Sequence, residues 1–219
     1  MKEIYIHIGL VKTGSTWLQE SLFPKLELTL VRTNKDFLNM SKAKTGKFLI
    51  SNEGLGGNQH QPVEFRYYFA HGIKKLHPNA KIIIGIRDAN SWLRSIYLQN
   101  VKTGHIELSY LDWYNNILDL RLCDFNKYVK LLRLLFGDYN VFVYTFKDFK
   151  NSKHNIIENL CRFMNVDCPA TIDDKKLNVG LYGYEKYFLL FNKIIYILRL
   201  SMITFFKFTK GLSKRVRGK

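Results

Sequence analysis

The stretch Lys81-Ile82-Ile83-Ile84-Gly85-Ile86 is apolar after its first residue. An uninterrupted apolar run of this length is typical of a strand that is buried on both faces of a parallel sheet. Outward from it, short β-branched or aromatic runs recur, and segments of helical period separate them. The runs lie at residues 4–8, 47–51 and 140–144, and the helical segments at residues 15–22, 63–76, 91–102, 109–136 (in one or two pieces) and 153–164. Strands that alternate with helices predict an α/β fold of three layers, with a central parallel sheet flanked by helices.

The composition is that of a globular domain with a large excess of positive charge. The chain has 219 residues, with 34 Lys and Arg against 18 Asp and Glu, which gives a formal net charge of +16. Its 47% hydrophobic content excludes a disordered chain, and the lack of any apolar run of about 18 residues excludes a polytopic membrane protein. The charge favours an anionic partner, either nucleic acid, a membrane surface or an acidic cofactor or substrate.

The cysteines and the N-terminus predict a cytoplasmic protein. The three cysteines form no C-x-x-C pair, which is typical of free thiols in a reducing compartment. Residues 1–8 have neither the long apolar core nor the cleavage site of a secretory signal. No cluster of His and Cys completes a zinc site, so we expect no metal.

The loop after the first strand, residues 9–14, is a candidate anion site. It contains Lys12 and Gly14, and the hydroxyl residues Thr13, Ser15 and Thr16 surround that glycine at the start of a helix. Free N–H groups, the helix dipole and the lysine would together attract an anion. The alternative is a tight turn in which Ser15 or Thr16 caps the helix, but capping accounts for one hydroxyl only. Because the lysine precedes the second glycine, the loop is not a Walker A motif, and an ATPase or GTPase is disfavoured.

A second candidate loop follows the strand at residues 81–86. Arg87 stands at the end of that strand, and Ser95 lies about two turns into the next helix. A guanidinium group and a hydroxyl group together suit a phosphate. The alternative is an ion pair between Arg87 and Asp88, with Asp88 or Asn90 capping the helix. The residues themselves leave both interpretations open.

The two loops resemble the cofactor-binding motifs of sulfotransferases. Residues 12–18 are similar to the 5′-phosphosulfate loop of that family, P-K-[ST]-G-[ST]-T-x-L, with Val11 where proline is usual. Residues 87–95 are similar to its 3′-phosphate motif, R-[DN]-P-x-x-R-x-x-S. Arg87 and Ser95 keep the spacing, whereas Ala89 replaces the proline and Trp92 the second arginine. The resemblance favours the phosphate interpretation of Arg87.

Weaker similarities extend the match to about residues 4–182. Residues 97–104 are similar to the Y-x-Q-x-v-k-x-G stretch of carbohydrate-type sulfotransferases, and residues 143–149 and 155–167 to a later strand, turn and helix. The resemblance implies a P-loop-like fold and an enzyme of the EC 2.8.2 class. Such an enzyme moves a sulfuryl group from 3′-phosphoadenosine-5′-phosphosulfate (PAPS) to a hydroxyl or amine of a carbohydrate or glycolipid. It releases adenosine 3′,5′-bisphosphate (PAP) and needs no metal.

The resemblance also assigns the cofactor site and limits the candidates for the general base. Lys12 is implied as the catalytic cation, and the cofactor-binding residues are Lys12, Thr13, Gly14, Ser15, Thr16, Trp17, Arg87 and Ser95. Trp17 has an equally good interpretation as a core residue, because it is apolar and early in a helix. We predict Glu53 as the general base because it follows the strand at residues 47–51, and His60 is the alternative. An ordinary loop carboxylate remains the other interpretation of Glu53.

The last 37 residues, 183–219, are predicted to form an amphipathic helix and a basic tail beyond the sulfotransferase domain at residues 1–182. Six basic and no acidic residues lie at positions 207–219, after an apolar segment at 187–206. Such a segment would either contact an anionic membrane surface peripherally or pack on the sheet or on a partner subunit.

Two other functions compete with the enzyme. A nucleic-acid-binding protein is disfavoured because no binding module is visible, and a catalytically idle nucleotide-binding or membrane-associated protein of the same fold would tolerate the changes at Val11, Ala89 and Trp92.

Overall fold

The computed structural model describes residues 1–57, 61–105, 108–116 and 119–172. One sheet of five strands runs through this part of the chain, and all four neighbouring strand pairs are parallel. The strands lie in the order β2-β3-β1-β4-β5. They are β1 (Lys2–Ile8), β2 (Thr29–Val31), β3 (Gly46–Asn52), β4 (Lys81–Ile86) and β5 (Val141–Thr145). The order places β1 at the centre, so the loop that follows β1 emerges between the ends of β3 and β4.

Helices connect the strands. Eight α-helices are described, with a π-helical turn (Leu18–Leu22) and a 3-10 turn (Phe23–Lys25) that directly continue the first of them. Further 3-10 turns lie at Glu53–Gly56, Leu120–Cys123 and Asp138–Asn140. The α-helices are α1 (Ser15–Trp17), α2 (Asn34–Lys42), α3 (Val63–Leu76), α4 (Ala89–Lys102), α5 (Tyr110–Asn116), α6 (Phe125–Phe136), α7 (Phe146–Asn151) and α8 (Lys153–Met164).

The core lies on both faces of the sheet, as the run at residues 81–86 predicts. Ile82 and Ile84 belong to one buried cluster and Ile83 to the other, and all three are fully buried. Each such side chain contributes about 1.5–3 kcal/mol by its removal from water. The predicted α/β fold, with a central parallel sheet flanked by helices, is confirmed, and the strong apolar pattern of β4 explains why.

The sequence prediction misses the elements that lack a strong apolar pattern. β2 has three residues at the edge of the sheet, and α2 is polar and held by a capping box in which Thr33 and Asp36 bond each other's backbone. The predicted helix at 109–136 is in fact three pieces, because Asp119 and Asp124 each cap a new element. The turn predicted within residues 143–149 is in fact the start of α7 (Phe146–Asn151).

The predicted domain division at residue 182 and the predicted tail at 183–219 lie outside the described residues. No helix in the described ranges is long and apolar enough to cross a membrane.

Candidate active site at the carboxyl ends of the central strands

The predicted site residues come from three neighbouring strands. β1 and β3 pair in register, with Ile8 opposite Asn52, so the residues that follow, Gly9 and Glu53, lie side by side. A Cβ atom on Gly9 would lie 2.9 Å from Cγ of Glu53 and 2.9 Å from Oγ of Ser15. Only glycine tolerates this close approach. The strand register therefore brings the predicted base against the predicted anion loop.

The carbonyl groups of the anion loop are fixed one after another. The hydroxyls of Thr13 and Ser15 donate to the carbonyl oxygen of Leu10, at 2.6 and 3.4 Å. Trp92 Nε1 donates to the oxygen of Val11 at 2.9 Å, and Arg87 Nη1 donates to the oxygen of Lys12 at 3.1 Å.

In a trans peptide, the N–H group of each residue points in the direction opposite to the carbonyl oxygen of the residue before it. The N–H groups of residues 11–13 therefore point away from these side chains.

The backbone of the loop has the geometry of an anion nest. Lys12 has φ 68° and Gly14 has φ 94°, so the chain adopts a left-handed conformation twice within three residues. Turns of this kind bring successive N–H groups together around an anion. Gly14 is the N-cap of α1, and no side chain caps that helix. The interpretation of Ser15 or Thr16 as a helix cap is therefore wrong, and the first N–H groups of the helix have no acceptor within it.

The second loop contacts the first through Arg87. Its guanidinium group lies 4.5 Å from the ring centroid of Phe146, and its Nε donates to Ser91 Oγ at 3.1 Å. Asp88 caps α4 by accepting from the N–H group of Ser91 at 2.9 Å, as the structural interpretation predicts. Arg87 nevertheless extends to the anion loop. Ser95 is half-buried one helical turn beyond Ser91, on the same side of α4.

The site is positive, and one carboxylate is placed within it. Burial lowers the pKa of Lys12, the Glu53 carboxylate opposes that shift, and Arg87 and Lys102 add to it. Burial raises the pKa of Glu53, and Lys12 opposes the shift. A carboxyl group with a raised pKa is better suited to accept a proton near neutral pH than an exposed one.

Solved structures of sulfotransferases share this architecture. A sulfotransferase from Alicyclobacillus acidocaldarius superposes with a TM-score of 0.61 at 14% sequence identity, over 88% of this chain and 93% of that one. The chain has the sulfotransferase fold. A mouse sulfotransferase complexed with PAP superposes with a TM-score of 0.52 at 15% identity, over 76% of this chain and 60% of that one. Neither a protein-family model nor a curated protein matches the chain.

Within this sulfotransferase fold, Trp17 lies in the core. It is 7% exposed, its ring packs edge-to-face on Phe149 at 5.5 Å, and Lys153 Nζ lies 4.7 Å from its ring centroid. These contacts match its interpretation as a core residue, and the adenine contact stays a prediction. His60, the alternative base, lies outside the described residues.

Three residues that sequence reasoning did not single out complete the site. Ser91 and Phe146 hold the Arg87 guanidinium, and Lys102 adds positive charge near Lys12. Ser91 and Lys102 have a signal in the sequence. Ser91 is four residues after Arg87 and four before Ser95, and Lys102 lies in the stretch at residues 97–104 that resembles carbohydrate-type sulfotransferases. Within the ranges that the structure describes, no group of three His, Cys, Asp or Glu side chains lies close enough to hold a metal.

Proposed function

We infer that the protein is a PAPS-dependent sulfotransferase that transfers a sulfuryl group to a hydroxyl or amine of a carbohydrate or glycolipid. The observation that carries this proposal is the hydrogen bond from Arg87 to the carbonyl oxygen of Lys12. It joins the two loops that resemble the 5′-phosphosulfate and 3′-phosphate motifs. A nucleotide with phosphates at both positions is the ligand that would use both loops at once.

The residues of the site fit PAPS by charge and by shape. Lys12 and the N–H groups of residues 12–16 would hold the 5′-phosphosulfate, because the nest and the start of the helix both attract anions. Arg87 and Ser95 would hold the 3′-phosphate. The contacts of the guanidinium with Phe146 and Ser91 fix its plane, and a fixed plane favours paired hydrogen bonds to phosphate.

Sulfuryl transfer requires the protein mainly to position the reactants and to stabilise the developing charge. In the transfer, the acceptor oxygen forms a bond to sulfur as the bond from sulfur to the 5′-phosphate oxygen breaks, and the acceptor proton is released. In this scheme Glu53 takes that proton. Lys12 stabilises the negative charge that develops on the leaving oxygen, which is electrostatic stabilisation by a group already in place.

The acceptor class rests on a different part of the chain. The similarity of residues 97–104 to carbohydrate-type sulfotransferases supports a sugar-containing acceptor. This stretch covers the end of α4 and includes Lys102, which lies near Lys12. The cytoplasmic location and the membrane contact of residues 183–219 stay predictions.

A transfer assay tests the proposal. We expect the protein to convert PAPS labelled with sulfur-35 to PAP and a labelled sugar product when it is given a mixture of glycans and glycolipids. The Lys12→Ala variant should form at least tenfold less product, whereas Lys130→Ala, on an exposed face of α6, should match the wild type. Tight binding of PAP without any transfer would instead identify the catalytically idle protein of the same fold.

A further inference from the structure

A groove lies between the helical turns that continue α1 and the end of β3, and its described lining residues are outside the two loops assigned to PAPS. Its volume is about 410 Å3, near the lower end of the range of about 300–1,000 Å3 that ligand pockets occupy. One wall comes from Gln19 and Phe23, in the helical turns that continue α1, and the other from the end of β3. The groove is thus large enough for a small acceptor group.

The groove lies next to the predicted base in the chain. Asn52 and Leu55, which flank Glu53 in the chain, both line it. Glu53 itself lies against Gly9 of the anion loop, at the distance that excludes a Cβ atom there. A ligand in the groove would therefore lie near Glu53, which itself contacts the anion loop.

The described lining of the groove carries no net charge, although the chain as a whole is strongly basic. Glu20 and Arg32 are the charged residues that line it, and their charges are opposite. Arg32 Nη2 donates to the carbonyl oxygen of Gln19 at 3.1 Å. The other walls combine apolar side chains with the amide and hydroxyl groups of Gln19, Ser51 and Asn52. This mixture favours an uncharged ligand that carries hydroxyl groups.

Ser51 is held in the groove wall by a partly buried hydrogen-bond network. Its Oγ lies 2.7 Å from Nδ1 of His7, and Gln19 Nε2 donates to it at 2.9 Å. His7 is fully buried on β1, and its ring packs edge-to-face on Phe23 at 5.2 Å. Burial lowers the pKa of His7 to about 3, so the imidazole is neutral at physiological pH. Two neutral partners thus fix the hydroxyl without adding charge to the groove.

The network leaves Ser51 one hydrogen bond to offer a ligand. If His7 Nδ1 carries the proton, both lone pairs of Ser51 accept bonds, and its own hydrogen points elsewhere. If Nδ1 is unprotonated, Ser51 donates to it and keeps one lone pair. A ligand hydroxyl can pair with Ser51 in either state, because it both donates and accepts. A carboxylate or sulfate could pair with only one of them.

We propose that this groove binds the acceptor of the reaction, an uncharged group bearing several hydroxyls such as a sugar ring. Ser51, fixed by His7 and Gln19, is the residue that positions the acceptor hydroxyl toward Glu53. This assignment rests on the proposed sulfotransferase function and adds to it the place where the acceptor binds, the absence of charge on that acceptor and the residue that positions it.

Kinetics with three matched probes test the assignment. The acceptors are p-nitrophenyl β-D-glucoside and p-nitrophenyl β-D-galactoside, which are uncharged, and p-nitrophenyl β-D-glucuronide, which carries a carboxylate. We expect transfer to one or both uncharged glycosides at least tenfold more efficiently than to the glucuronide. Ser51→Ala should raise the KM for the glycoside about 10-fold, the size of one lost hydrogen bond. The affinity for PAP should not change.

Two further variants separate positioning from folding. Ser51→Thr keeps the hydroxyl and should restore most of the affinity for the glycoside. Ser41→Ala, which removes an exposed hydroxyl of α2, should have no effect on KM. If the wild type does not bind PAP, the sulfotransferase function itself fails.

If the wild type binds PAP, three results would each overturn the groove assignment alone. They are an unchanged KM in Ser51→Ala, equal use of the glucuronide, and no transfer to any of the three probes.

Discussion

Trp92 Nε1 donates a hydrogen bond to the carbonyl oxygen of Val11 at 2.9 Å. Val11 stands where sulfotransferases usually have proline, and Trp92 where they usually have a second arginine, so the departures from the two motifs contact each other. Trp92 is 1% exposed and packs edge-to-face on Phe125 at 5.2 Å. It supplies no charge to the site. Its role is to hold the anion loop against α4, next to the hydrogen bond that Arg87 donates to the carbonyl oxygen of Lys12.

We expect Trp92→Phe to weaken the binding of PAP about 10-fold, because the freed carbonyl of Val11 no longer holds the loop in its anion-binding geometry. Loss of a hydrogen bond that leaves a polar group unpaired costs about 1–3 kcal/mol. Isothermal titration calorimetry measures the affinity. Trp113→Phe is the control, since Trp113 is as deeply buried but lies on α5. Equal losses of PAP affinity in both variants would mean that Trp92 acts through general stability.

Glu53→Gln should lower turnover by about 10²–10⁴-fold, the usual contribution of a general base, and leave the affinity for PAP intact. Because burial raises the pKa of Glu53, the wild-type rate should rise with pH through a midpoint above the ordinary range of glutamate. This rise in rate with pH should be absent in Glu53→Gln. A pH–rate profile for each protein measures this, and unchanged turnover in Glu53→Gln would assign the base elsewhere, with His60 as the next candidate.

As pH rises, the affinity for PAP should begin to fall at a lower pH than it would if Lys12 had the pKa of an ordinary lysine. Burial lowers the pKa of Lys12, so its positive charge is present at low pH and is lost as pH rises through the lowered value. Lys12→Arg keeps its charge throughout, and its affinity should not change over that range of pH. Calorimetry with PAP from neutral to alkaline pH compares the wild type with Lys12→Arg. The same decline in both proteins would show that another group titrates.

His7 should make the protein sensitive to acid. Burial lowers the pKa of His7 from 6.5 to about 3, so the unfolded chain takes up a proton in this range that the folded chain does not. The contribution of His7 to stability is therefore complete above pH 6.5 and is lost as pH falls toward 3. Urea unfolding at a series of pH values should give a shallower dependence for His7→Gln than for the wild type. His71→Gln, at an exposed position, should behave as the wild type does.

The sequence predicts those parts of the molecule that have a strong local pattern. β4 is recognisable because every residue after Lys81 is apolar, and the two loops because lysine, arginine and glycine stand directly after strands. The site follows from these once the sheet is parallel, since parallel strands end at one edge. Glu53 is found in the same way, from its place after β3.

The remainder depends on contacts between residues far apart in the chain. Nothing local indicates that Trp92 reaches Val11, that Phe146 supports Arg87, or that His7 and Gln19 meet at Ser51. The first of these pairs is separated by 81 residues. β2 and α2 are missed for another reason, because an edge strand of three residues and a polar helix bury too little apolar surface to leave a pattern.

We predict that the loops around Lys12 and Arg87 together bind one nucleotide with phosphates at its 3′ and 5′ positions. Calorimetry with PAP tests it most directly, with adenosine 5′-monophosphate as the comparison ligand and Lys130→Ala as the control variant. We predict micromolar binding of PAP that falls at least tenfold in Lys12→Ala and in Arg87→Ala. The monophosphate should bind more weakly, and its affinity should respond to Lys12→Ala more than to Arg87→Ala. No binding of PAP, or binding that neither variant weakens, would contradict the claim.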